Sequence, residues 1–296
     1  MSRAVAVDLR ESASSGGTQV RRRLRHWRRR FGLVLGIAVV AAVVGVAVAA
    51  PLLSPYGPNE QHLEDSLQAP SLRHFFGTDD LGRDVLTRVF YGGRYTVSVA
   101  LGVVVLAGAA GVLVGAFSGY LGGWLDEGVM RATELVMAFP PIILAMAIVV
   151  ALRPGLINAG LAMVLVWWPP YARLARGEVL AVRNLEYIEA AVAAGQTVGG
   201  IFRRAILPNI LPGLVVFGAV DLGSAIVAAA GLSFLGLGAT PPAPEWGAMV
   251  SAGRELLPQW WIATFPGLAI FATVVGFNFI GDGIRDLLDP HRYLRS

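Results

Sequence analysis

Two residue types are missing altogether from this 296-residue chain, and each absence removes a class of chemistry. Without cysteine the chain forms no disulfide, offers no thiolate nucleophile and has no cysteine ligand for a metal. Lysine is absent too: all 24 basic side chains are arginine. A Walker A loop needs a lysine to reach the nucleotide phosphates, and a Schiff base needs a lysine amine, so both are excluded. If ATP drives this protein, another chain binds it. Charge is scarce as well, at 15% of residues against 55% hydrophobic, and the mean hydropathy is +0.62. A chain this apolar cannot bury its side chains in one soluble core, which makes an integral membrane protein the default. The basic pI of about 9.8 raises nucleic acid as a partner. The arginines cluster beside apolar runs, however, and membrane topology explains that better.

What the chain does have is a series of long uncharged runs. A small, polar stretch (residues 1–20) and a basic block, RRRLRHWRRR (21–30), precede the run 31–50, FGLVLGIAVVAAVVGVAVAA. Twenty residues at 1.5 Å each cover about 30 Å, the thickness of the hydrocarbon core. The rival reading is a secretory signal cleaved at Ala47-Val48-Ala49. Its apolar region would exceed the usual length of about 7–15 residues, so the run reads as a retained span. Five more runs follow at 95–117, 132–151, 154–172, 210–238 and 261–281. None alternates as a barrel strand would, and the expected fold is all-α with six transmembrane helices. With both termini in the cytoplasm, eighteen arginines fall inside and six (Arg73, Arg83, Arg88, Arg94, Arg153 and Arg254) outside, the bias the positive-inside rule requires. The chain then divides into a basic cytoplasmic tail (1–30), a first span (31–50), an outer segment (51–94), a core (95–284) and a cytoplasmic tail (285–296). A second outer segment, 239–260, is rich in Pro and Trp and reads as a rigid cap.

The cytoplasmic loop 176–209 is far longer than two antiparallel helices need. Asn184 is a candidate N-cap for a helix over 185–194, with Glu186 and Glu189 near the positive end of its dipole. Gly195 is a natural stop. Thr197 caps a second short helix running through Ile206, and Pro208 ends it. Small side chains at Ala190, Ala191, Ala193 and Ala194 permit close approach of another surface. Two readings stand on the residues alone: an amphipathic helix lying on lipid headgroups, or a docking element for a soluble partner.

The motif EAAVAAG (189–195), followed after nine residues by AILP (205–208), resembles the EAA loop of bacterial ABC-importer permeases. It keeps Glu189, Ala190, Ala191, Gly195, Leu207 and Pro208 at the family's spacing. The segments FGTDDLGRDVLTRVFYGGR (76–94), SGYLGGWLDEGVMR (118–131), GLSFLGLGATPPAPEWGAMVSAGRE (231–255) and FNFIGDGIRDLLDP (277–290) are similar, in the same order, to the dipeptide/oligopeptide/nickel permease family, on its C-type subunit. The resemblance implies a type I ABC-importer permease fold in the bacterial cytoplasmic membrane. It implies that the chain forms half of a translocation pathway with a homologous second permease. Two ATP-binding subunits would dock on the EAA loop, and an extracytoplasmic solute-binding protein would deliver dipeptides, oligopeptides, glutathione-like molecules or nickel chelates. No catalysis and no cofactor belong to this chain on that reading. The loop departs from the pattern at Ala205, where many relatives carry His. An ion-gradient-driven secondary carrier would need internal repeats, and a membrane enzyme would need a nucleophile or metal constellation; neither is visible.

Within the spans, Asp221 and Ser224 are the pathway candidates. A charge at the depth of Asp221 is costly unless it faces water or a partner, so it lines the pathway or pairs with the second permease. Glu134 lies within a turn of the cytoplasmic end. Pro140-Pro141 is expected to kink the third span. Gly111 and Gly115 fit a GxxxG face, a spacing that glycine-rich membrane helices also produce by chance. The pair Trp167-Trp168 reads as an interface anchor. Asp79, Asp80 and Asp84 lack calcium-loop spacing and read as Asp80–Arg83 and Asp84–Arg88 helix pairs. His26, His62, His74 and His291 show no catalytic-metal spacing.

Overall fold

A computed structural model describes residues 31–288. The basic block at 21–30, His26, His291, Arg292 and Arg295 lie outside the described residues. The helices are α1 (Phe31–Leu53), α2 (Val85–Leu121), α3 (Gly123–Met137), α4 (Pro141–Leu152), α5 (Leu156–Val182), α6 (Glu186–Ala193), α7 (Val198–Ile201), α8 (Leu207–Phe234), α9 (Trp246–Arg254) and α10 (Trp261–Leu288). A five-residue π-turn, Phe202–Ile206, joins α7 to α8 without a break.

The fold is all-α and multi-pass. Among the described residues, four helices are long and apolar enough to cross a bilayer, or five if the bent pair α3–α4 is one span. Helix α5 has the length, at 27 residues. Its aromatic and proline run at 167–171, with Arg173, Arg176 and Glu178 after it, lowers its hydropathy. The expected straight span over 132–151 is broken instead: α3 and α4 meet at 88°. Pro141 forces Pro140 into an extended conformation (ψ 124°), which ends α3 and starts α4 with proline in its first turn. Helix α2 starts at Val85 and not at 95, because Asp84 is an effective N-cap whose carboxylate accepts from the Thr87 amide at 2.8 Å.

Helices α2 and α5 run in parallel and touch backbone to backbone. Gly108, Gly111, Gly115 and Gly119 of α2 face Tyr171, Trp168, Ala172 and Arg176 of α5, so closely that a Cβ on Gly115 would overlap the Ala172 backbone. The GxxxG spacing is therefore a true packing face, fixed by the small-residue contact that membrane helices favour. Around it Val103, Met163, Val166, Ile226 and Leu232 form the central core with α4 and α8. Many large side chains on the outside, Leu101, Val105, Leu106 and Leu113 among them, are exposed, as a lipid-facing surface requires.

The end of the bundle away from α6 carries a compact cap made by residues 54–84 and 239–260. Trp246 is buried and donates its indole N–H to the Val89 carbonyl at 2.8 Å, and Trp261 donates to the Thr78 carbonyl at 3.0 Å. Glu245 caps α9 and accepts from Thr96 at 3.0 Å. Asp79 accepts from Arg83 Nε at 2.7 Å, and Asp80 lies 3.6 Å from Arg83. The expected Asp84–Arg88 pair does not form. Asp84 caps α2 and faces His74 at 3.0 Å, while Arg88 donates to the Pro58 carbonyl at 2.8 Å. These residues precede or open the helix, so i,i+4 spacing does not place them on one face.

Candidate functional site

The stretch after α5 forms a helix, a sharp stop and a second helix that runs directly into α8. Helix α6 spans Glu186–Ala193, and its N-cap is Leu185, without a side-chain cap bond. Asn184 thus lies one residue too early to cap it. The stop is at Gly195, with φ +74°. The Gly195 amide donates to Val192 O at 2.9 Å and the Gln196 amide to Ala191 O at 3.1 Å, the paired bonds of a Schellman motif. Thr197 caps α7, accepting from the Gly200 amide at 3.3 Å. Both assignments follow the sequence.

Pro208 does not end the element. It stands in the first turn of α8, directly after the π-turn, inside a helix that runs unbroken from Val198 to Phe234. The π-turn before it absorbs the strain of a proline in a continuous helix: the Leu207 amide reaches back five residues to Phe202 O. The Asn209 side-chain amide donates to Ala205 O at 2.6 Å and to the Tyr187 hydroxyl at 3.0 Å, so α6, the π-turn and α8 meet at one nitrogen.

An eight-residue helix is marginal in isolation. Here Ile188, 1% exposed, anchors α6 in a cluster with Ala116, Ala175, Val179, Ile201 and Ile206. Burying one such side chain contributes about 1.5–3 kcal/mol. The opposite face of α6 is free: Glu189, Ala190 and Gly195 are exposed, Ala191 and Leu207 half-buried and Pro208 exposed. The Glu189 carboxylate makes no hydrogen bond or ion pair among the described residues, while its amide donates to Leu185 O at 3.2 Å. A groove of about 470 Å³ runs beside it, lined by Tyr120, Arg183, Asn184, Ile188 and Val192. Arg183 is tied to Gly119 O at 2.8 Å, which closes the groove's floor against α2. Nearby, Arg176 grips Asp126 with two bonds of 2.6 Å each, fixing α3 to α5. Glu134 is exposed, 3.7 Å from Arg131.

Asp221 takes a course that the sequence did not suggest. Within this chain it accepts from the Tyr171 hydroxyl at 2.8 Å and from the Trp167 indole at 3.4 Å. Trp167 thus turns toward α8, and the Trp167-Trp168 pair is not simply an interface anchor. Ser224, three residues on, is exposed on α8. The loop cluster and the Asp221 cluster lie on the same two helices, α5 and α8.

Residues 111–292 match the family described as binding-protein-dependent transport system inner membrane component. Residues 18–70 match the N-terminal transmembrane domain of oligopeptide transport permease C. Among curated relatives, a probable D,D-dipeptide transport system permease of Escherichia coli is 45% identical over 258 residues, 87% of each chain. A dipeptide transport system permease of Alkalihalophilus pseudofirmus is 43% identical, over 89% of this chain and 90% of its own. A glutathione transport system permease of Escherichia coli is 40% identical, over 90% of this chain and 88% of its own.

Proposed function

The chain belongs to the binding-protein-dependent transport system inner membrane components, and on that premise we propose that it is half of the translocation pathway of a type I ABC importer for short peptides. As a permease subunit it is a non-catalytic component of the importer. In this reading α1, α2, the α3–α4 pair, α5, α8 and α10 make six passes, with both termini and α6 in the cytoplasm. Helix α4 alone, twelve residues or about 18 Å, is too short to cross. Just past its far end the Gly155 amide bonds Leu237 O at 3.3 Å, which ties the α4–α5 turn to the segment after α8.

The observation that carries the proposal is the two-faced α6: Ile188 buried on one side, and Glu189, Ala190 and Gly195 uncovered on the other. A homologous permease completes the pathway, two ATP-binding subunits dock on the α6 loops, and an extracytoplasmic solute-binding protein delivers cargo. Glu189 supplies a polar contact, Ala190, Ala191 and Gly195 allow close approach, and Leu207 and Pro208 direct the loop into α8. ATP favours one state of the pathway only through differential affinity, transmitted by the docked helix. Asp221 and Ser224 lie on the pathway side of α8, with Asp221 held in place by Tyr171 and Trp167. Short peptides are the cargo class because the transport functions of the relatives, for D,D-dipeptides, dipeptides and glutathione, share that chemistry.

The test is purification of the tagged chain from its native membrane, followed by vesicle uptake. ATP-hydrolysing subunits and a second permease are expected to accompany it, with dipeptide uptake that needs both ATP and the binding protein. Glu189→Arg is expected to abolish that uptake and leave membrane insertion intact. Uptake by this chain alone, driven by an ion gradient, overturns the proposal.

A further inference from the structure

Helix α6 is attached to the rest of the molecule by a small apolar contact, Ile188 with Ala191 beside it, and by one side-chain hydrogen bond. Ile188 sits in an apolar pocket, 1% exposed, and Tyr187 reaches the other way to Asn209 at the start of α8. A small apolar anchor holds α6 in place without fixing its angle, since hydrophobic contact is non-directional. A second, directional contact fixes the angle, because hydrogen bonds weaken steeply off axis. The Tyr187–Asn209 bond is that contact. It is exposed, and the Asn209 amide nitrogen is also the donor to Ala205 O, 2.6 Å away inside the π-turn.

That turn is the point in the α7–α8 helix where flexing is expected. Pro208 has no N–H to give to the turn before it, and the π-turn replaces one α-helical turn by a wider one. The Asn209 side chain adds a second tie across this turn, to Ala205 O. Ala205, whose side chain packs toward the same cluster as Ile188, offers the accepting carbonyl.

We propose that Asn209 is a positioning residue for energy coupling: by holding the Tyr187 hydroxyl and the Ala205 carbonyl with one amide, it makes α6, the π-turn and α8 move as one rigid body. This rests on the docking role proposed for α6. The inference goes beyond that role in naming the joint that carries a displacement of α6 into the membrane, and in placing it outside the EAA residues. Tyr187 is its partner and acts through the same bond.

The chain has no cysteine, so spin labels can be placed on it with no background from its own residues before it is assembled with its partners. Gln196→Cys, behind α6, and Val215→Cys, on the exposed side of α8, are labelled in the assembled complex, and their separation is read by pulsed electron resonance with and without ATP and vanadate. One narrow distance is expected, moving by less than about 2 Å, the size of ordinary helix shifts. In Asn209→Ala and in Tyr187→Phe the distribution is expected to broaden. ATP hydrolysis by the complex continues in both, while its response to the loaded binding protein falls at least several-fold, and the double variant is no worse than Asn209→Ala alone. A large ATP-dependent change of distance in the unsubstituted complex, or an unbroadened distance in Asn209→Ala, overturns the proposal and leaves the docking role standing. Failure of any ATPase subunit to accompany the unsubstituted chain overturns the docking role itself, and with it this inference.

Discussion

Gly195 gives a graded test of the α6 stop. Its φ is +74°, and a Cβ built on it meets no atom within 4 Å. Within this chain, substitution there therefore costs backbone strain and nothing in packing. For an ordinary L-residue the left-handed region costs about 1–2 kcal/mol, which lowers the population of the stop roughly 5- to 30-fold. Asparagine tolerates this region far better, and a β-branched residue far worse. Since α6 has eight residues, losing the Schellman bonds lets its last turn unwind and displaces Ala190 and Ala191. The expected order of ATP-dependent uptake is Gly, then Gly195→Asn, then Gly195→Ala, then Gly195→Val. Thermal unfolding in detergent should be nearly the same across the series. The assay is vesicle uptake normalised to reconstituted complex, with subunit recovery measured in parallel. Gly195→Val at full activity, or Gly195→Asn as impaired as Gly195→Val, would refute the argument that backbone conformation is what this position supplies.

Three further outcomes are expected. Gly115→Val forces α2 away from the Ala172 backbone, an overpacking cost of about 1–3 kcal/mol, seen as a lower unfolding temperature, whereas Gly102→Val, with no atom within 4 Å of its Cβ, is neutral. Asp221→Leu strands the Tyr171 hydroxyl and Trp167 indole, about 1–3 kcal/mol for each buried donor left without an acceptor, and lowers stability in detergent; Asp221→Asn keeps an acceptor and retains most of it. Asp126→Asn with Arg176→Gln in a double-mutant cycle gives a coupling of about 1 kcal/mol, since the side chains are 14% and 33% exposed, and it shrinks in high salt.

What the sequence disclosed about the loop was what local chemistry decides. Gly195 and Thr197 act within three residues of themselves, so a stop and a cap were legible. Pro208 was misread because proline suits both the position after a helix and the first turn of one, and the π-turn that settles the matter leaves no residue signature. Asn184 was one residue early because no side chain caps α6: the cap position falls on Leu185, which leaves no residue signature to read. For Asp221 the sequence revealed that a membrane carboxylate needs a partner, but that partner, Tyr171, lies 50 residues away. The third apolar run looked like one span because hydropathy averages over Pro140-Pro141, while the backbone turns there by 88°. The packing role of Gly111 and Gly115 became visible only with α5 in place, since a spacing does not say which surface it faces.

The wide turn at Phe202–Ile206 has an effect at a distance. A helix advances about 100° per residue, so a turn that takes in one residue more than an α-turn sets back everything after it by about that angle. The orientation of Asp221 toward Tyr171 and Trp167 is thus timed by five residues at the far end of the same helix. Inserting or deleting one residue in the cytoplasmic loop would be felt as a rotation deep in the membrane, with the two ends of α8 keyed to a single phase.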